Sequence, residues 1–182
     1  LSPEIWLSAS VKVPADTFNV LPDPTVMSVP EISPASISTL EIFKDQGTDT
    51  SKNTCTINGF QTENILKYKT PQEVAQKIIV QLKKDLNLFH IHLIEYNQAG
   101  AQTAHDHKET EDYSFILYLN DSDGNTVFEN HGEITPKKGK LVFFNSDITH
   151  YGKPSMKGKK IAVGALKKHW LRTKKNIYFK EV

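Results

Sequence analysis

The sequence predicts a mainly β protein, an antiparallel sandwich or barrel flanked by one helix. Apolar and polar residues alternate with a period of two in several segments after residue 89, turn-forming segments separate them, and one helical pattern precedes them. This alternation places successive side chains on opposite faces of a strand, as a sheet with a buried face requires. The chain of 182 residues, 38% hydrophobic and 24% charged, is long enough for one domain with its own core.

The helix is predicted to begin at Thr70. Thr70 is a capping residue, Pro71 suits the first helical position and Glu73 the third, and together they form a helix-start signature. An apolar face follows at helical spacing, formed by Val74, Ile78, Ile79 and Leu82. We therefore expect an amphipathic helix that extends to about Leu86 and packs on the sheet.

Strands are predicted after the helix, where the period changes to two. The segment NDSDGN at 120–125 is interpreted as a hairpin connection, and PKKG at 136–139 as a tight turn. The alternating segments are 90–96, 114–119, 140–145 and 160–166.

The chain is expected to form one domain with two parts. Residues 1–69 are predicted to be an extended segment with loops that packs on the barrel, because six prolines in residues 1–40 disfavour helix. Residues 70–182 are predicted to contain the helix and the barrel. The polar segment 45–59 is expected to be a surface loop, and with 108–113 it is a candidate lid.

Charge and cysteine content exclude several classes of protein. With 22 basic and 21 acidic residues the net charge is +1, so no overall field favours nucleic acid or a membrane surface. The basic tail from Lys167 to Lys175 is interpreted as solvated surface, with phosphate contact as the weaker alternative. The single Cys55 excludes an internal disulfide and a multi-cysteine zinc site. Without a signal-peptide pattern or a membrane-length apolar run, the protein is expected to be cytoplasmic.

Three histidines are candidate metal ligands. His105 and His107 lie on the same face of an extended chain, roughly 6 to 7 Å apart along it, whereas Asp106 points away. His150 follows two strand-like apolar runs. Two close histidines and a distant one favour a metal site. The remaining histidines are interpreted as surface or half-buried strand residues: His90, His92, His131 and His169.

An ordered series of motifs extends over about residues 93 to 170. The motifs are Tyr96, Gly100 and His105, then SFILYLND at 114–121, PxxGxLVFF at 136–144, HxGxP at 150–154 and GKK at 158–160. Their order and spacing resemble the Fe(II)- and 2-oxoglutarate-dependent dioxygenases of the prolyl-hydroxylase-like branch. The resemblance implies a double-stranded β-helix, a jelly-roll or cupin-like barrel.

The resemblance also implies an enzyme that holds Fe(II), uses 2-oxoglutarate and O2, and hydroxylates a C–H bond with release of succinate and CO2. It assigns His105 and His150 as metal ligands. Where the family usually has His-x-Asp or His-x-Glu, this chain has His107 at the second position. We take His107 as the third ligand, with Asp106 and Glu109 as the alternatives.

In such enzymes a cation and a hydroxyl bind the remote carboxylate of 2-oxoglutarate. The cation comes from a strand shortly after the last histidine, where Lys160 stands. Ala162 and Gly164 at alternate positions would leave room beside it on the inner face. Lys159 is the alternative if the register is shifted by one residue. Tyr118 matches a position that places a phenol hydroxyl on the same carboxylate in some relatives.

The resemblance leaves the substrate open. Prolyl hydroxylation of a peptide is the nearest analogy, and we expect a small-molecule or peptide substrate without a membrane or nucleic-acid partner. One alternative is a cupin-like dioxygenase or isomerase that has a three-histidine metal site and does not use 2-oxoglutarate. Another is a non-enzymatic β-sandwich binding module in which the histidines are incidental.

Overall fold

A computed structural model describes residues 25–27, 40, 55–82 and 86–168; His169 and most of the N-terminal segment lie outside the described residues. No helix within these ranges has the length and apolar character that a bilayer crossing requires. A 3-10 turn, Ile65–Lys67, precedes helix α1, Lys69–Leu82. The strands are β1 (Thr25–Met27), β2 (Thr56–Gln61), β3 (Leu86–His105), β4 (Tyr113–Tyr118), β5 (Thr126–Phe128), β6 (Gly132–Ile134), β7 (Leu141–Asn145), β8 (His150–Ser155) and β9 (Lys159–Lys168).

The strands form one antiparallel sheet that curls on itself, with the order β1-β7-β4-β9-β3-β8-β5-β6 and β2 added beside β3. Strand β3 belongs to both halves of the barrel, because residues 86–96 pair with β9 and residues 100–105 pair with β8. The halves face each other, since the rings of Phe144 on β7 and Phe128 on β5 lie 4.9 Å apart. This arrangement is the predicted double-stranded β-helix.

The long strand β3 bends at Gly100. Ala99 has a positive φ of 60° there. A Cβ atom on Gly100 would lie 2.5 Å from the carbonyl oxygen of Asn58 and 2.8 Å from that of Asn97. Glycine therefore permits a close backbone approach that no other residue allows. The bend directs His105, at the end of β3, towards the second half of the barrel.

Two apolar clusters lie on opposite faces of the sheet. On β4, Phe115 belongs to the cluster beneath α1, whereas its neighbour Ile116 belongs to the cluster inside the barrel. The period of two in the sequence therefore separates helix-facing from interior-facing side chains. The interior cluster comprises Ile94, Tyr96, Ile116, Tyr118, Phe128, Ile134, Val142, Phe144, Ile161 and Val163.

Two predicted boundaries are wrong. The helix does not extend to Leu86, because Leu86 begins β3 and pairs with Lys168 of β9. The segment predicted to be a loop through residue 59 enters β2 at Thr56. Strand β2 pairs with β3 in antiparallel fashion. Its polar side chains are compatible with a partly exposed edge strand.

The predicted hairpin at 120–125 is also wrong. Strand β4 pairs with β7 and β9, whereas β5 pairs with β6 and β8, so this segment crosses from one half of the barrel to the other. Turn-forming residues indicate that the chain changes direction, but they do not determine which strand the next segment pairs with. The tight turn at 136–139 is confirmed, because the Lys140 N–H donates to the Lys137 carbonyl at 2.9 Å and Gly139 has a φ of 83°.

Candidate metal and co-substrate site

Three histidine rings meet where β3 ends and β8 begins. His105, the last residue of β3, pairs with His150, the first residue of β8, and His107 lies two residues beyond the end of β3. The ring centroids are 4.4 Å apart for His105 and His150, 4.8 Å for His105 and His107, and 5.4 Å for His107 and His150. One possible ligand atom from each ring lies within 4.8 Å of the others. The fold thus brings the three candidate ligands together.

The backbone fixes His107 in this group, and the alternative ligands lie outside it. The His107 N–H donates to the Ser146 carbonyl at 2.8 Å, which joins the end of β3 to the segment before β8. The Asp106 carboxylate turns to Lys108, at 3.2 Å between Oδ2 and Nζ. Glu109 is exposed. Neither carboxylate belongs to the histidine group.

The Nδ1 atoms of two rings face backbone carbonyls. Nδ1 of His105 lies 2.8 Å from the Thr103 oxygen, and Nδ1 of His150 lies 3.0 Å from the Ile148 oxygen. A carbonyl only accepts, so in each neutral ring Nδ1 carries the proton and Nε2 keeps its lone pair. This tautomer leaves Nε2 available to a divalent ion.

Burial keeps two of the rings neutral. It lowers the pKa of His150 to about 3 and that of His107 to about 4, with further lowering from His105. For His105 burial acts in the same direction, but Cys55 and the Thr103 carbonyl outweigh it and raise the pKa. Cys55 interacts with His105 in return, and its thiol pKa is lowered despite burial. Neutral imidazole is the form that binds metal.

A buried carboxylate lies beside His107. Glu111 has a side chain only 5% exposed, and its Oε1 lies 3.7 Å from Nδ1 of His107. The hydroxyl of Ser114 donates to Oε1 at 2.7 Å. Burial raises the pKa of Glu111 to about 7, against the opposing effects of Ser114, His105 and Lys167. Glu111 is not among the residues predicted for the site, because nothing in the sequence of segment 108–113 distinguishes it from its exposed neighbours.

Two further histidines lie near the group on the inner face of β3. His90 and His92 alternate with Ile94 of the interior cluster, and Nδ1 of His92 lies 3.1 Å from Nε2 of His90. Burial lowers the pKa of His92 to about 3, and His90 and His107 lower it further. They are half-buried strand residues as predicted, and His131 is exposed as predicted. Their proximity to the three histidines was not predicted. Their spacing of two residues ahead of Ile94 does indicate that they lie on the same face of β3 as Ile94.

A buried lysine lies elsewhere on the inner face. Lys159 is 1% exposed and pairs with Tyr96 across β9 and β3. Its Nζ donates to the Gly124 carbonyl at 3.1 Å and lies 4.7 Å from the centre of the Tyr96 ring. None of the ion pairs among the described residues includes Lys159, and burial lowers its pKa to about 8. A buried cation without a carboxylate favours an anionic ligand.

The prediction that Lys160 faces the interior is wrong. Lys159 is fully buried on the interior face, so Lys160 shares the opposite face with Ala162, which packs in the cluster beneath α1. A Cβ atom on Gly164 would lie 2.0 Å from the ring of Phe115. The small residues at alternate positions therefore make room for core side chains rather than for a ligand. Strand β9 is shifted by one residue from the predicted register.

The surroundings of Lys159 suit a carboxylate. A Cβ atom on Gly152 would lie 2.8 Å from Nζ of Lys159, so the glycine leaves space at the ammonium group. The Tyr96 hydroxyl is buried and makes no hydrogen bond of ordinary geometry among the described residues, although Thr56 lies near enough to interact. A buried ammonium group beside an unsatisfied phenol is complementary to a carboxylate.

Gly152 also relates the lysine to the histidines. It follows His150 by two residues on β8, so both face the same side at a separation of about 6 to 7 Å along the strand. This separation is comparable to the length of a five-carbon dicarboxylate.

The predicted hydroxyl, Tyr118, lies in the same interior cluster. It is fully buried, and its hydroxyl donates to Oγ1 of Thr126 at 2.7 Å. Burial raises the pKa of Tyr118 to about 12. The phenol therefore stays protonated near neutral pH and is held in one orientation.

Residues 89–167, from β3 to β9, match the model of the 2OG-Fe(II) oxygenase superfamily. The matched range contains all three histidines of the group, as well as Lys159. The match covers 79 of the 182 residues, from 89 to 167, and concerns the barrel. No curated protein sequence matches the chain.

Solved structures share the fold at low sequence identity. The viral collagen prolyl hydroxylase of Paramecium Bursaria Chlorella virus-1, in complex with 2-oxoglutarate, is 19% identical, with 74% of this chain and 91% of that chain covered and a TM-score of 0.55. A prolyl-4-hydroxylase of Pseudomonas putida is 14% identical, with 75% and 88% covered and a TM-score of 0.53.

A third similar structure is HygX of Streptomyces hygroscopicus, solved with nickel, 2-oxoglutarate and hygromycin B bound. It is 8% identical, with 75% of this chain and 79% of that chain covered and a TM-score of 0.60. These likenesses concern the fold, which the viral and bacterial proteins share despite their different sequences.

Proposed function

We propose that the chain is a 2-oxoglutarate-dependent non-haem iron oxygenase and that His105, His107 and His150 hold the iron through their Nε2 atoms. The main support is that the three rings converge while the Nδ1 atoms of His105 and His150 face backbone acceptors. Burial keeps His107 and His150 in the neutral form that binds metal. Imidazole is a ligand type that suits iron as well as nickel, copper and zinc.

Lys159, rather than Lys160, is the proposed cation for the remote carboxylate of 2-oxoglutarate. It is buried on the interior face, and no carboxylate of the described residues neutralises it. The neighbouring Tyr96 has a buried hydroxyl, and Gly152 leaves the space that the ammonium group occupies. A charged hydrogen bond in this apolar surrounding binds and orients the co-substrate.

The bound iron, with 2-oxoglutarate and O2, supplies the oxidising chemistry that hydroxylates a C–H bond and releases succinate and CO2. The chain's residues hold and orient the reactants. Interior side chains such as Phe144 and Ile161 line the barrel and exclude water from the co-substrate.

The proposed substrate is a peptide, with a prolyl residue as the first to test. Prolyl hydroxylases share the fold, and one of Trichoplax adhaerens is solved in complex with a peptide fragment of hypoxia inducible factor; it is 9% identical, with 72% of this chain and 77% of that chain covered and a TM-score of 0.55. In this chain the side chain of His107 is 27% exposed whereas His150 is buried. The histidine group is therefore partly exposed at His107.

The decisive experiment is an anaerobic titration of the metal-free protein with Fe(II) and then 2-oxoglutarate, followed by the visible absorption that accompanies co-substrate binding. His150→Ala is compared with His131→Ala, since His131 is an exposed histidine outside the group. We expect the wild type and His131→Ala to bind one iron and then 2-oxoglutarate, and His150→Ala to bind neither. Succinate release with proline-containing peptides then tests the substrate.

Two outcomes would contradict the proposal. Iron binding without any 2-oxoglutarate binding would favour the three-histidine dioxygenase or isomerase. Failure of the folded wild type to retain iron would favour a binding module in which the histidines are incidental.

A further inference from the structure

The three rings of the histidine group differ in what faces their Nδ1 atoms. His105 and His150 each turn Nδ1 to a backbone carbonyl at hydrogen-bond distance. Nδ1 of His107 faces a side chain instead, the carboxylate of Glu111, at 3.7 Å. This distance is slightly longer than a hydrogen bond. The third ring therefore has a side-chain carboxyl group as its partner in place of a backbone carbonyl.

Glu111 is held in this position by several contacts. Its backbone N–H donates to the His107 carbonyl at 3.1 Å, and its Oε1 accepts from the Ser114 hydroxyl at 2.7 Å. The Ser114 hydroxyl lies 3.1 Å from that of Ser146, whose carbonyl accepts from the His107 N–H at 2.8 Å. The carboxylate and the imidazole thus belong to one closed network. Small changes in side-chain torsion would bring them into direct hydrogen bonding.

Burial makes a purely packing role for Glu111 a poor explanation. Its side chain is only 5% exposed, and burying a carboxylate is unfavourable unless donors or positive charge compensate it. Ser114 provides one donor, and Nδ1 of the neutral His107 ring lies 3.7 Å from the same oxygen. A divalent ion bound on the other side of the imidazole would add the missing positive charge.

We propose that Glu111 is the positioning residue of His107: its carboxylate accepts a hydrogen bond from the Nδ1–H group, which leaves Nε2 as the metal-binding atom. Behind a metal-binding ring it would also supply the negative charge that an all-histidine ligand set lacks. A carboxylate behind a ligating histidine orients the ring and increases its basicity. The role in metal binding depends on the proposed function, whereas the role in fixing the tautomer does not.

The test compares Glu111→Gln with Glu109→Gln. Both replace a glutamate in the same segment by its amide, but Glu109 is exposed and lies outside the network. In the metal-free proteins at pH 8, 15N NMR identifies which nitrogen of His107 carries the proton, with His107→Gln used to assign the signal. Calorimetry then gives the affinity of each protein for Co(II) as a probe ion.

We expect wild type and Glu109→Gln to protonate His107 at Nδ1 and to bind Co(II) equally. Glu111→Gln should populate the other tautomer and bind Co(II) about 10- to 100-fold more weakly. An unchanged tautomer and an unchanged affinity in Glu111→Gln would overturn the proposal. If Glu111→Gln fails to fold, the wild-type protein alone still tests the proposal. A wild-type His107 that carries its proton on Nε2 would also overturn the proposal.

The result separates this inference from the proposed function. If the wild type binds no divalent ion, the proposed function fails, but the tautomer of His107 still tests the role of Glu111. If the wild type binds the ion and Glu111→Gln binds it equally well with the same tautomer, the proposed function stands and the role of Glu111 is excluded.

Discussion

A Cβ atom on Gly152 would lie 2.8 Å from Nζ of Lys159, the fully buried lysine of β9. The absence of a side chain at this position of β8 gives the ammonium group its place inside the barrel. Because the atom that would be displaced is the end of a flexible side chain, the backbone can tolerate an added methyl group. The added methyl group would therefore mainly shift the ammonium group of Lys159.

Gly152→Ala is therefore expected to weaken 2-oxoglutarate binding without unfolding the protein. The methyl group would move Nζ of Lys159 out of line with the carboxylate, and a hydrogen bond to a charged group contributes about 1.5 to 3 kcal/mol, which corresponds to about tenfold or more in affinity. Calorimetry on the Mn(II)-loaded protein measures the affinity. In a Lys159→Met background the same alanine should have little further effect; an equal loss in both backgrounds would show that it does not act through Lys159.

Lys159→Met and Lys160→Met should differ strongly, although the residues are adjacent. Removing the buried partner of a carboxylate costs about 2 kcal/mol or more, so Lys159→Met should weaken 2-oxoglutarate binding by about 30-fold or more. Lys160 faces away from the interior, and Lys160→Met should bind like the wild type. The same calorimetric titration measures both. Equal losses in the two variants would contradict the register of β9.

The depressed pKa of Lys159 predicts a pH-dependent stability. Its folded pKa of about 8 lies below the ordinary lysine value of 10.5, so the unfolded chain binds more protons between these two pH values. The free energy of unfolding of the ligand-free protein should therefore rise as pH increases from about 8 to 10.5, by roughly 3 kcal/mol at most from this residue. Urea unfolding across this range measures it.

Lys159→Met serves as the reference for that experiment, because it lacks the titrating group while keeping a long side chain. The rise should appear in the difference between wild type and variant. A difference that is flat, or that falls with pH, would show that the folded protein does not disfavour the charged lysine.

Replacing His107 should remove metal binding, whereas replacing its acidic neighbours should not. Asp106 turns to Lys108 and Glu109 is exposed, so Asp106→Asn and Glu109→Gln should retain one Fe(II) per chain after desalting. His107→Ala should retain much less than one, because only two ligands of the group remain. Elemental analysis gives the metal content. Retention by His107→Ala together with loss in either acidic variant would assign the third ligand to a carboxylate.

Gly164→Ala should destabilise the fold. Its Cβ would lie 2.0 Å from the Phe115 ring, and overpacking of a buried core costs about 1 to 3 kcal/mol or more. We expect at least about 2 kcal/mol less unfolding free energy in urea. Phe115→Leu should recover part of this loss in the double variant, since it removes the ring that the methyl group meets. Additive losses would show that the two residues do not compete for the same space.

Much of the site could be predicted from local patterns. His105 and His107 are separated by two positions in an extended chain, and the motifs around them identify His150 as their distant partner. The strands followed from the alternation of apolar residues, which records the buried faces directly. These features depend on residues near one another in sequence.

Lys159, Glu111 and His92 depended on contacts between distant segments. Two adjacent lysines satisfy the same local pattern, and only the pairing of β9 with β3 decides which one enters the barrel. Glu111 resembles an ordinary loop carboxylate until Ser114 and His107 surround it. His92 resembles an ordinary strand residue until the curl of the sheet brings it near the histidine group.

Local sequence patterns are enough to predict the alternating strands, the helix after residue 69, the pair of histidines with its distant third member, and the family resemblance. Each of these is encoded by short-range spacing or by an ordered set of motifs. The order of the strands, the inward lysine and the buried carboxylate beside His107 become apparent only in the folded chain. Register and burial are set by hydrogen bonding and packing between segments far apart in the chain, and local propensities do not specify these.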